Sequence, residues 1–495
     1  MALARAETFE QAGEFLQAER IYEQILRGDP LLASVWHRLG LVHFRLGRIE
    51  QAAESVGRAV SFDSSNAAFH HDLGLISRRL DQIDDAIDYL QQAVHLAPGN
   101  ARVQYDLGAA LRQRQDQVGA KLRFQQAVRL QPEFAEAWND LGIAHQSLGE
   151  LDESGECFER LAALVPGLSG AHFNLGNVRL AQGRFLEALA CYSKALEQQP
   201  RFVEALNNLG TALYRLGHVD QAQQAYAAAL RLQPRFIDAK NNLGSLWSLL
   251  GRSAAAEACF REALAIDPQS VVALNNLSSV LQSQLRLDEA EVVLRRAVAL
   301  DASGVDVCGN LANVLALQGR LNEAAEYYSR ADVIAPLPRL RIHAATMLPP
   351  IYQSVEELHR SRTALESNVA RLLEEGTRLD PAQEPVPVNF LLAYQGLDDC
   401  GLARCIAALY GAVGQTGSQA SSHAPGQTAA ELFPGSALIL THKIIHRNRI
   451  FRHQRHDICA SLLALSVSSP RSHGGMSCRN GLRRSCTGWI WEIND

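Results

Sequence analysis

One Leu-Gly dipeptide returns seven times along the sequence at a fixed interval of 34 residues. Two related dipeptides, Leu277-Ser278 and Leu311-Ala312, continue the series in the same phase. A period of this length indicates a stack of two-helix units, because one such unit cannot bury its own apolar face. The seven dipeptides begin at Leu39, Leu73, Leu107, Leu141, Leu175, Leu209 and Leu243.

Further positions keep the same phase and predict the shape of each unit. A small residue follows each Leu by thirteen positions, and a large apolar residue comes four positions later. Small residues let two helices cross closely, and the large side chain fills the remaining gap. Proline near the end of most units is expected to end the second helix, and glycine between the helices is expected to adopt a left-handed turn. The glycines are Gly47, Gly149, Gly183, Gly217, Gly251 and Gly319, and the prolines are Pro98, Pro132, Pro166, Pro200, Pro234, Pro268 and Pro336.

This pattern resembles the tetratricopeptide repeat (TPR), and Trp36 and Trp138 occupy the early tryptophan position of that family. The resemblance implies an all-α fold, a right-handed superhelix of antiparallel helix pairs with a concave inner surface. We predict nine full units from Ala33 to Pro338. One partial unit precedes them, which contains Gly13, Ala18, Tyr22 and Pro30.

The repeat phase ends after residue 338, and the chain then changes character twice. Ser354 followed by Glu357 is a capping-box pattern, which predicts a helix over about 354–375. A last helix is predicted to end near Tyr410. We therefore predict a TPR array over residues 1–336, a short helical linker over 337–410 and an irregular tail over 411–495.

The residue before each repeated Leu is asparagine or aspartate, and we call these eight positions the ladder residues. Asparagine is a poor residue for a helix interior, so its recurrence suggests a use. Its side-chain amide offers two donors and an acceptor, which can pair with a peptide backbone of any sequence. The alternative is that these side chains only bridge adjacent repeats. We predict a peptide-binding ladder on the concave face, more favourable to basic segments at its aspartate end. The ladder residues are Asp72, Asp106, Asp140, Asn174, Asn208, Asn242, Asn276 and Asn310.

Two segments after the repeats carry a second resemblance. The runs over 347–352 and 390–396 resemble the segment that follows the repeats in bacterial O-linked N-acetylglucosamine (O-GlcNAc) transferase-like proteins of the SPINDLY group, and the asparagine ladder is similar to theirs. The resemblance covers about residues 1–410. It implies that the array recruits protein substrates to a glycosyltransferase that uses a UDP-linked sugar. That catalytic region needs several hundred residues, so we expect it to be missing here and the tail to be truncated or out of frame.

Three functions remain open at this point. The leading one is a protein–protein interaction scaffold that binds extended polypeptide, with no cofactor. The second is an active O-GlcNAc transferase, which would bind a UDP-sugar if its catalytic half were supplied elsewhere. The third is an assembly or chaperone-docking adaptor, although that would need a basic clamp on the inner face. A metal site formed by the tail histidines is the weaker interpretation of a solvated basic segment, and we expect no metal. Those histidines are His442, His446, His453 and His456.

Composition narrows the partners and the compartment. The formal net charge is −6, which argues against a general nucleic-acid binder. The nine cysteines have no Cys-x-x-Cys spacing, and this favours a reducing compartment. The N-terminus lacks the apolar core of a secretion signal, and the longest apolar run, over 458–467, is too short to span a membrane. We therefore expect a cytoplasmic protein that binds neither nucleic acid nor membrane.

Overall fold

The computed structural model describes residues 1–349 and 352–379, together with residues 402, 405, 406, 408 and 409. All regular secondary structure in these residues is helical, as the sequence predicted. The helices are α1 (Ala2–Gln11), α2 (Phe15–Gly28), α3 (Ala33–Arg45), α4 (Ile49–Phe62), α5 (Ala67–Arg79), α6 (Ile83–Leu96), α7 (Ala101–Gln113), α8 (Gln117–Leu130), α9 (Ala135–Ser147), α10 (Leu151–Leu164), α11 (Ser169–Ala181), α12 (Phe185–Gln198), α13 (Val203–Arg215), α14 (Val219–Leu232), α15 (Ile237–Leu249), α16 (Ser253–Ile266), α17 (Val271–Ser283), α18 (Leu287–Leu300), α19 (Val305–Leu317), α20 (Leu321–Ile334), α21 (Pro338–Ala345) and α22 (Val355–Glu374).

The 34-residue period corresponds to one helix pair and its two connections. In the repeats that begin with α3, the first helix has 13 residues and the second has 14. A short turn joins the two helices, and a slightly longer connection leads to the next pair. Pro98, Pro132 and Pro166 lie in such connections, just after a second helix ends. Proline therefore ends the second helix as predicted, because its ring cannot continue a helix interior.

The glycine of each repeated Leu-Gly dipeptide lies where the two helices of a pair cross. A Cβ atom added to Gly108 would lie 2.7 Å from Cε1 of Phe124, which is fully buried. The same addition at Gly210 would lie 2.7 Å from Cε1 of Tyr226. The predicted pairing of a small residue with a large apolar one is confirmed, and it sets how closely the helices pack.

The turn inside each pair requires one residue in the left-handed region. Gly47 and Gly149 have φ of 76° and 78°, as the sequence predicted for the glycines at this position. Three repeats have no glycine there, and they place Asp81, Gln115 and Leu285 in the same conformation, with φ of 62°, 68° and 60°. The turn geometry therefore belongs to the repeat and persists where the side chain opposes it.

The first helix pair of the array is more complete than the sequence predicted. The sequence indicated a partial unit before residue 33, whereas the structure has a full helix pair, α1 and α2. Its first helix has only 10 residues, so it carries fewer of the positions that define the repeat. Tyr22 and Ala18 are fully buried and pack in one cluster with Val35 of the next pair. This packing makes the first pair a regular member of the stack.

The described chain forms two compact units. The first contains residues 1–318 and 329–334, and its core runs through the stacked helices α1 to α19. The second contains residues 319–328 and those from 335 onward. It has a core of its own, formed by Ile342, Leu348, Leu365, Val369, Leu372, Leu379, Leu402, Ile406 and Leu409.

The second unit contains α21 and α22. The helix predicted over 354–375 is α22, and the hydroxyl of Ser354 accepts a hydrogen bond from the backbone N–H of Glu357 at 3.1 Å, as a capping box requires. Sequence reasoning missed α21, although Pro338 at its first turn is a common start signal. The helix expected to end near Tyr410 lies largely outside the described residues. The segment over 390–396, the tail over 411–495 and its histidines lie entirely outside them.

Candidate functional site

The ladder residues lie on the first helices of successive pairs, each at the same depth in its helix. Successive first helices contact one another directly, for example α13 with α15 and α15 with α17. Among the described repeats no two successive second helices do so to the same extent. The ladder residues from Asn174 to Asn310 therefore lie on helices that contact one another directly from repeat to repeat.

A recurring hydrogen bond connects the ladder residues to the preceding repeat. The partner is the residue just before the previous ladder residue, 35 positions earlier in the chain, and we call each such bond a rung. In the N-terminal repeats the ladder residue is an aspartate, which only accepts hydrogen bonds. His37 Nε2 donates to Asp72 at 2.6 Å, and His71 Nε2 donates to Asp106 at 2.8 Å.

The third aspartate rung has a tyrosine donor. The hydroxyl of Tyr105 donates to Asp140 Oδ2 at 3.0 Å. Burial and the neighbouring Asp140 carboxylate raise the pKa of Tyr105 to about 12. The phenol therefore stays protonated and remains a donor at all ordinary pH values.

Two of the three aspartates are unavailable to a partner. Asp106 is 1% exposed and pairs with Arg102 at 3.1 Å as well as with His71. Asp140 is 7% exposed and pairs with Arg112 at 2.9 Å. The acidic end that the sequence suggested for basic segments is therefore neutralised from within the chain, and only Asp72 is partly exposed.

The asparagine rungs form between side-chain amides. Nδ2 of Asn174 donates to Asn139 at 3.2 Å, Nδ2 of Asn242 to Asn207 at 2.9 Å, and Nδ2 of Asn310 to Asn275 at 2.8 Å. The bridging that the sequence left as an alternative is thus present. In these three rungs each ladder asparagine uses one N–H, and its half-buried carbonyl oxygen has no partner among the described residues. At Asn208 the carbonyl oxygen accepts from Nδ2 of Asn207 at 3.0 Å.

Two steps depart from the rung pattern. The residue before Asn174 is Phe173, which has no polar atom to accept a bond, so Nδ2 of Asn208 donates to Asn177 at 2.8 Å instead. The second exception lies between α15 and α17. Among the described residues the side chain of Asn276 has no hydrogen-bond partner, and neither has the buried Oδ1 of Asn241.

Sequence reasoning singled out the ladder residues but missed most of their partners. The donors of the aspartate rungs lie one position before the ladder position of the preceding repeat, and they differ in residue type. They are His37, His71 and Tyr105. The 34-residue period marks their position, but only the structure shows that the partner comes from the repeat before. The accepting oxygen of Asn177 was also missed, and it receives a second bond from the Tyr192 hydroxyl at 2.8 Å.

Two features of the described residues bear on other functions. Across residues 1–349 and 352–379 no helix is both long enough and apolar enough to cross a membrane. The same part of the chain contains no group of three or more His, Cys, Asp or Glu side chains placed to hold a metal ion.

Comparison with known proteins agrees with this architecture. Residues 3–67 and 71–121 match the tetratricopeptide repeat family model, and residues 133–340 match the model of the cilia and flagella-associated protein 70 C-terminal domain. The chain is a TPR repeat protein with a TPR-like solenoid fold. Among curated proteins, none matches it significantly.

Several solved TPR structures are similar to parts of the chain. MamA is 26% identical over 32% of this chain and 93% of its own, with a TM-score of 0.32. YrrB, described as a TPR protein with an unusual peptide-binding site, is 21% identical over 38% of this chain and 96% of its own, with a TM-score of 0.36. Yeast Tom70 is 12% identical over 77% of this chain and 97% of its own, with a TM-score of 0.41.

Proposed function

We propose that this chain is a protein-interaction scaffold that binds extended polypeptide along the first helices α11 to α19. The observation that carries the proposal is the spare hydrogen-bonding capacity of Asn174, Asn242 and Asn310. Each donates one N–H to the preceding repeat and keeps a carbonyl oxygen and a second N–H on a half-exposed side chain. A repeated donor and acceptor pair of this kind matches the N–H and C=O groups of an extended backbone.

The surroundings of these amides are polar and include exposed carboxylates one helical turn before three of the ladder residues. These carboxylates belong to Glu204, Asp238 and Asp306. Ser245 and Ser279 are exposed one helical turn beyond Asn242 and Asn276. The ammonium group of Lys240 is held by Glu262 at 2.6 Å.

A finer form of the proposal is that the array recruits protein substrates for an O-GlcNAc transferase-like enzyme. Its support is the resemblance of residues 347–352 and 390–396, and of the asparagine ladder, to the SPINDLY group. Titration of the full chain with a UDP-sugar in a calorimeter tests whether this chain carries nucleotide-sugar binding of its own. We expect no heat of binding, and saturable binding would instead favour an active transferase.

The proposal is tested with an array of short peptides probed with the full chain. Peptides that bind are then measured in solution by fluorescence anisotropy. The variant with Asn174, Asn242 and Asn310 all changed to Ala should keep its helical circular dichroism and lose most of its affinity, because it removes the three half-buried amides that have hydrogen-bonding groups to spare.

The matched control is Asn207→Ala. Asn207 is 5% exposed and its loss breaks the rung from Asn242, but it removes no exposed amide. The control should retain peptide affinity. Unchanged binding by the triple variant would refute the ladder as the binding surface, and selection of acidic C-terminal peptides alone would favour the adaptor function.

A further inference from the structure

The exposed side of α8 differs from that of the second helices before and after it. Val118 and Leu122 lie one turn apart on α8 and are 56% and 54% exposed. Among the second helices that the structure describes, α8 is the one with a large apolar residue at both of these repeat positions. The neighbouring second helices have acidic residues there, Asp84 and Asp88 in α6 and Asp152 and Glu156 in α10.

The opposite side of α8 is apolar as well. Phe124 and Val128 lie on that side and belong to the core that α8 forms with its neighbours. A helix that is apolar on all sides is typical of a buried position, whereas a helix at a surface has one polar side. The repeat itself accepts a carboxylate at both positions, so the fold does not require Val118 and Leu122 to be apolar.

Two ion pairs connect α8 to the starts of the acidic helices. Arg114, in the turn before α8, has its Nη1 3.6 Å from Oδ1 of Asp84. On the other side, Nζ of Lys121 donates to Oε1 of Glu150, the residue just before α10, at 2.7 Å. The beginning of each acidic helix therefore lies within the reach of one side chain from α8. The apolar pair on α8 has carboxylates on both sides.

Most of these carboxylates are not neutralised by the chain. Asp88 and Glu156 are exposed, and no cation of the described residues pairs with either of them. Each lies four positions after another acidic residue, a spacing at which like charges repel. Lys121 is engaged by Glu150, and Arg129 lies two turns beyond Leu122, at the far end of the helix. The start of the exposed side is therefore apolar in its centre and negative at its edges.

We propose that this exposed side of α8, with Val118 and Leu122 at its centre, is a docking surface for an amphipathic helix of a partner protein. The partner helix presents two large apolar side chains one turn apart, which pack on Val118 and Leu122. Lys or Arg side chains on both sides of that pair reach Asp88 and Glu156. The surface lies on a second helix and contains no ladder residue, so the inference does not rest on the proposed function.

Charge excludes the other occupants of an exposed apolar patch. In a symmetric contact with a second copy of this chain, Asp88 and Glu156 would face the same carboxylates of the other copy. A membrane with anionic lipids and a nucleic acid are negatively charged too, and both would be repelled. A basic protein segment is the occupant whose charge complements this surface.

The test uses the full chain and three fluorescein-labelled peptides that are constrained to be helical. The first has a pair of leucines one turn apart with lysines on both sides. In the second the lysines are replaced by glutamates, and in the third the leucines are replaced by alanines. The variant Val118→Gln combined with Leu122→Gln removes the apolar pair. Leu186→Gln is the matched control, because Leu186 has the same repeat position as Val118 in α12 and is 69% exposed.

We expect the leucine and lysine peptide to bind the full chain more tightly than the other two, as measured by fluorescence anisotropy. The double glutamine variant should weaken its binding by about tenfold, the effect of losing two half-exposed apolar side chains. Leu186→Gln should keep full affinity. Asp88→Asn combined with Glu156→Gln should weaken binding by about twofold to fivefold at low salt, and the difference should disappear at high salt. Both double variants change exposed residues, so their urea midpoints should match that of the unaltered chain.

Several outcomes would overturn the inference. One is failure of the leucine and lysine peptide to bind, and another is equal binding to the double glutamine variant. Equal binding of the glutamate peptide would show that the carboxylates play no part. Sedimentation of the full chain as a dimer that the double glutamine variant does not form would assign the surface to a second copy. Binding to phosphatidylcholine and phosphatidylserine vesicles that the same variant loses would assign it to a membrane.

Discussion

At the scale of single residues, the strictest packing requirement is for glycine, which has no Cβ atom, where the two helices of a pair cross. The aromatic ring of Tyr226 occupies the space that a side chain at Gly210 would need. The two residues act together, because the ring fills the gap that glycine leaves.

We predict that Gly210→Ala lowers the free energy of unfolding by about 1–3 kcal/mol, because a well-packed core accommodates an added methyl group only through strain. Urea unfolding followed by circular dichroism measures the change. Gly167→Ala is the control, since Gly167 lies in a connection where an added Cβ meets nothing within 4 Å. Equal stability of the two variants would contradict the role assigned to the crossing.

A substitution in the left-handed turn between α7 and α8 should instead raise the free energy of unfolding. Gln115 is exposed and has φ of 68°, a conformation that costs an L residue about 1–2 kcal/mol. Gln115→Gly removes this strain but adds freedom to the unfolded chain, at a cost of about 0.5–1 kcal/mol. We expect a net gain of up to about 1 kcal/mol in the free energy of unfolding. Differential scanning calorimetry should show a higher melting temperature, whereas Gln117→Gly at the start of α8 should lower it.

At the scale of helices, the rungs are the feature that joins one first helix to the next. The sequence alone predicts the helix pairs, their turns and the ladder positions, because these follow from the local preferences of proline, glycine and asparagine. It does not predict which rungs close. Phe173 shows why, since a residue with no repeat signature of its own sends the Asn208 amide to Asn177.

A double-mutant cycle measures the strength of a rung. For Asn207→Ala and Asn242→Ala we expect a coupling of about 1 kcal/mol in the free energy of unfolding, because the two amides share one hydrogen bond at 2.9 Å. The same cycle on Asn241 and Asn276 should give no measurable coupling in the unliganded chain. A coupling of similar size in both pairs would mean that the two rungs are equally closed in solution.

At the scale of the whole molecule, the first unit is a one-dimensional stack in which each helix pair contacts its neighbours. The stability of such a stack is approximately a sum over pairs and the interfaces between them. A helix pair at the end of such a stack can therefore be removed while the remaining pairs stay folded. A globular domain does not tolerate such a deletion, because its ends share one core with the rest.

We predict that a chain lacking residues 1–30, and with them α1 and α2, still folds. The deletion removes Tyr22 from its cluster with Val35 and Leu39, so the urea midpoint should fall. The helical signal per remaining residue should stay close to that of the full chain. Loss of all helical structure would show that the first pair is required to nucleate the stack.

The rungs also have a direction, and it reverses once along the stack. Asp140 can only accept, so Tyr105 donates to it from the N-terminal side and Asn139 donates to it at 3.2 Å. That second bond turns the Asn139 oxygen towards the Nδ2 of Asn174, which donates from the C-terminal side. Hydrogen-bond polarity from both halves of the ladder thus converges on a single carboxylate. An amide at this position would have one oxygen in place of two, and it could not accept from Tyr105 and Asn139 on separate atoms. Aspartate therefore suits the point where the sense changes, and the later rungs from Asn174, Asn242 and Asn310 all donate towards the preceding repeat.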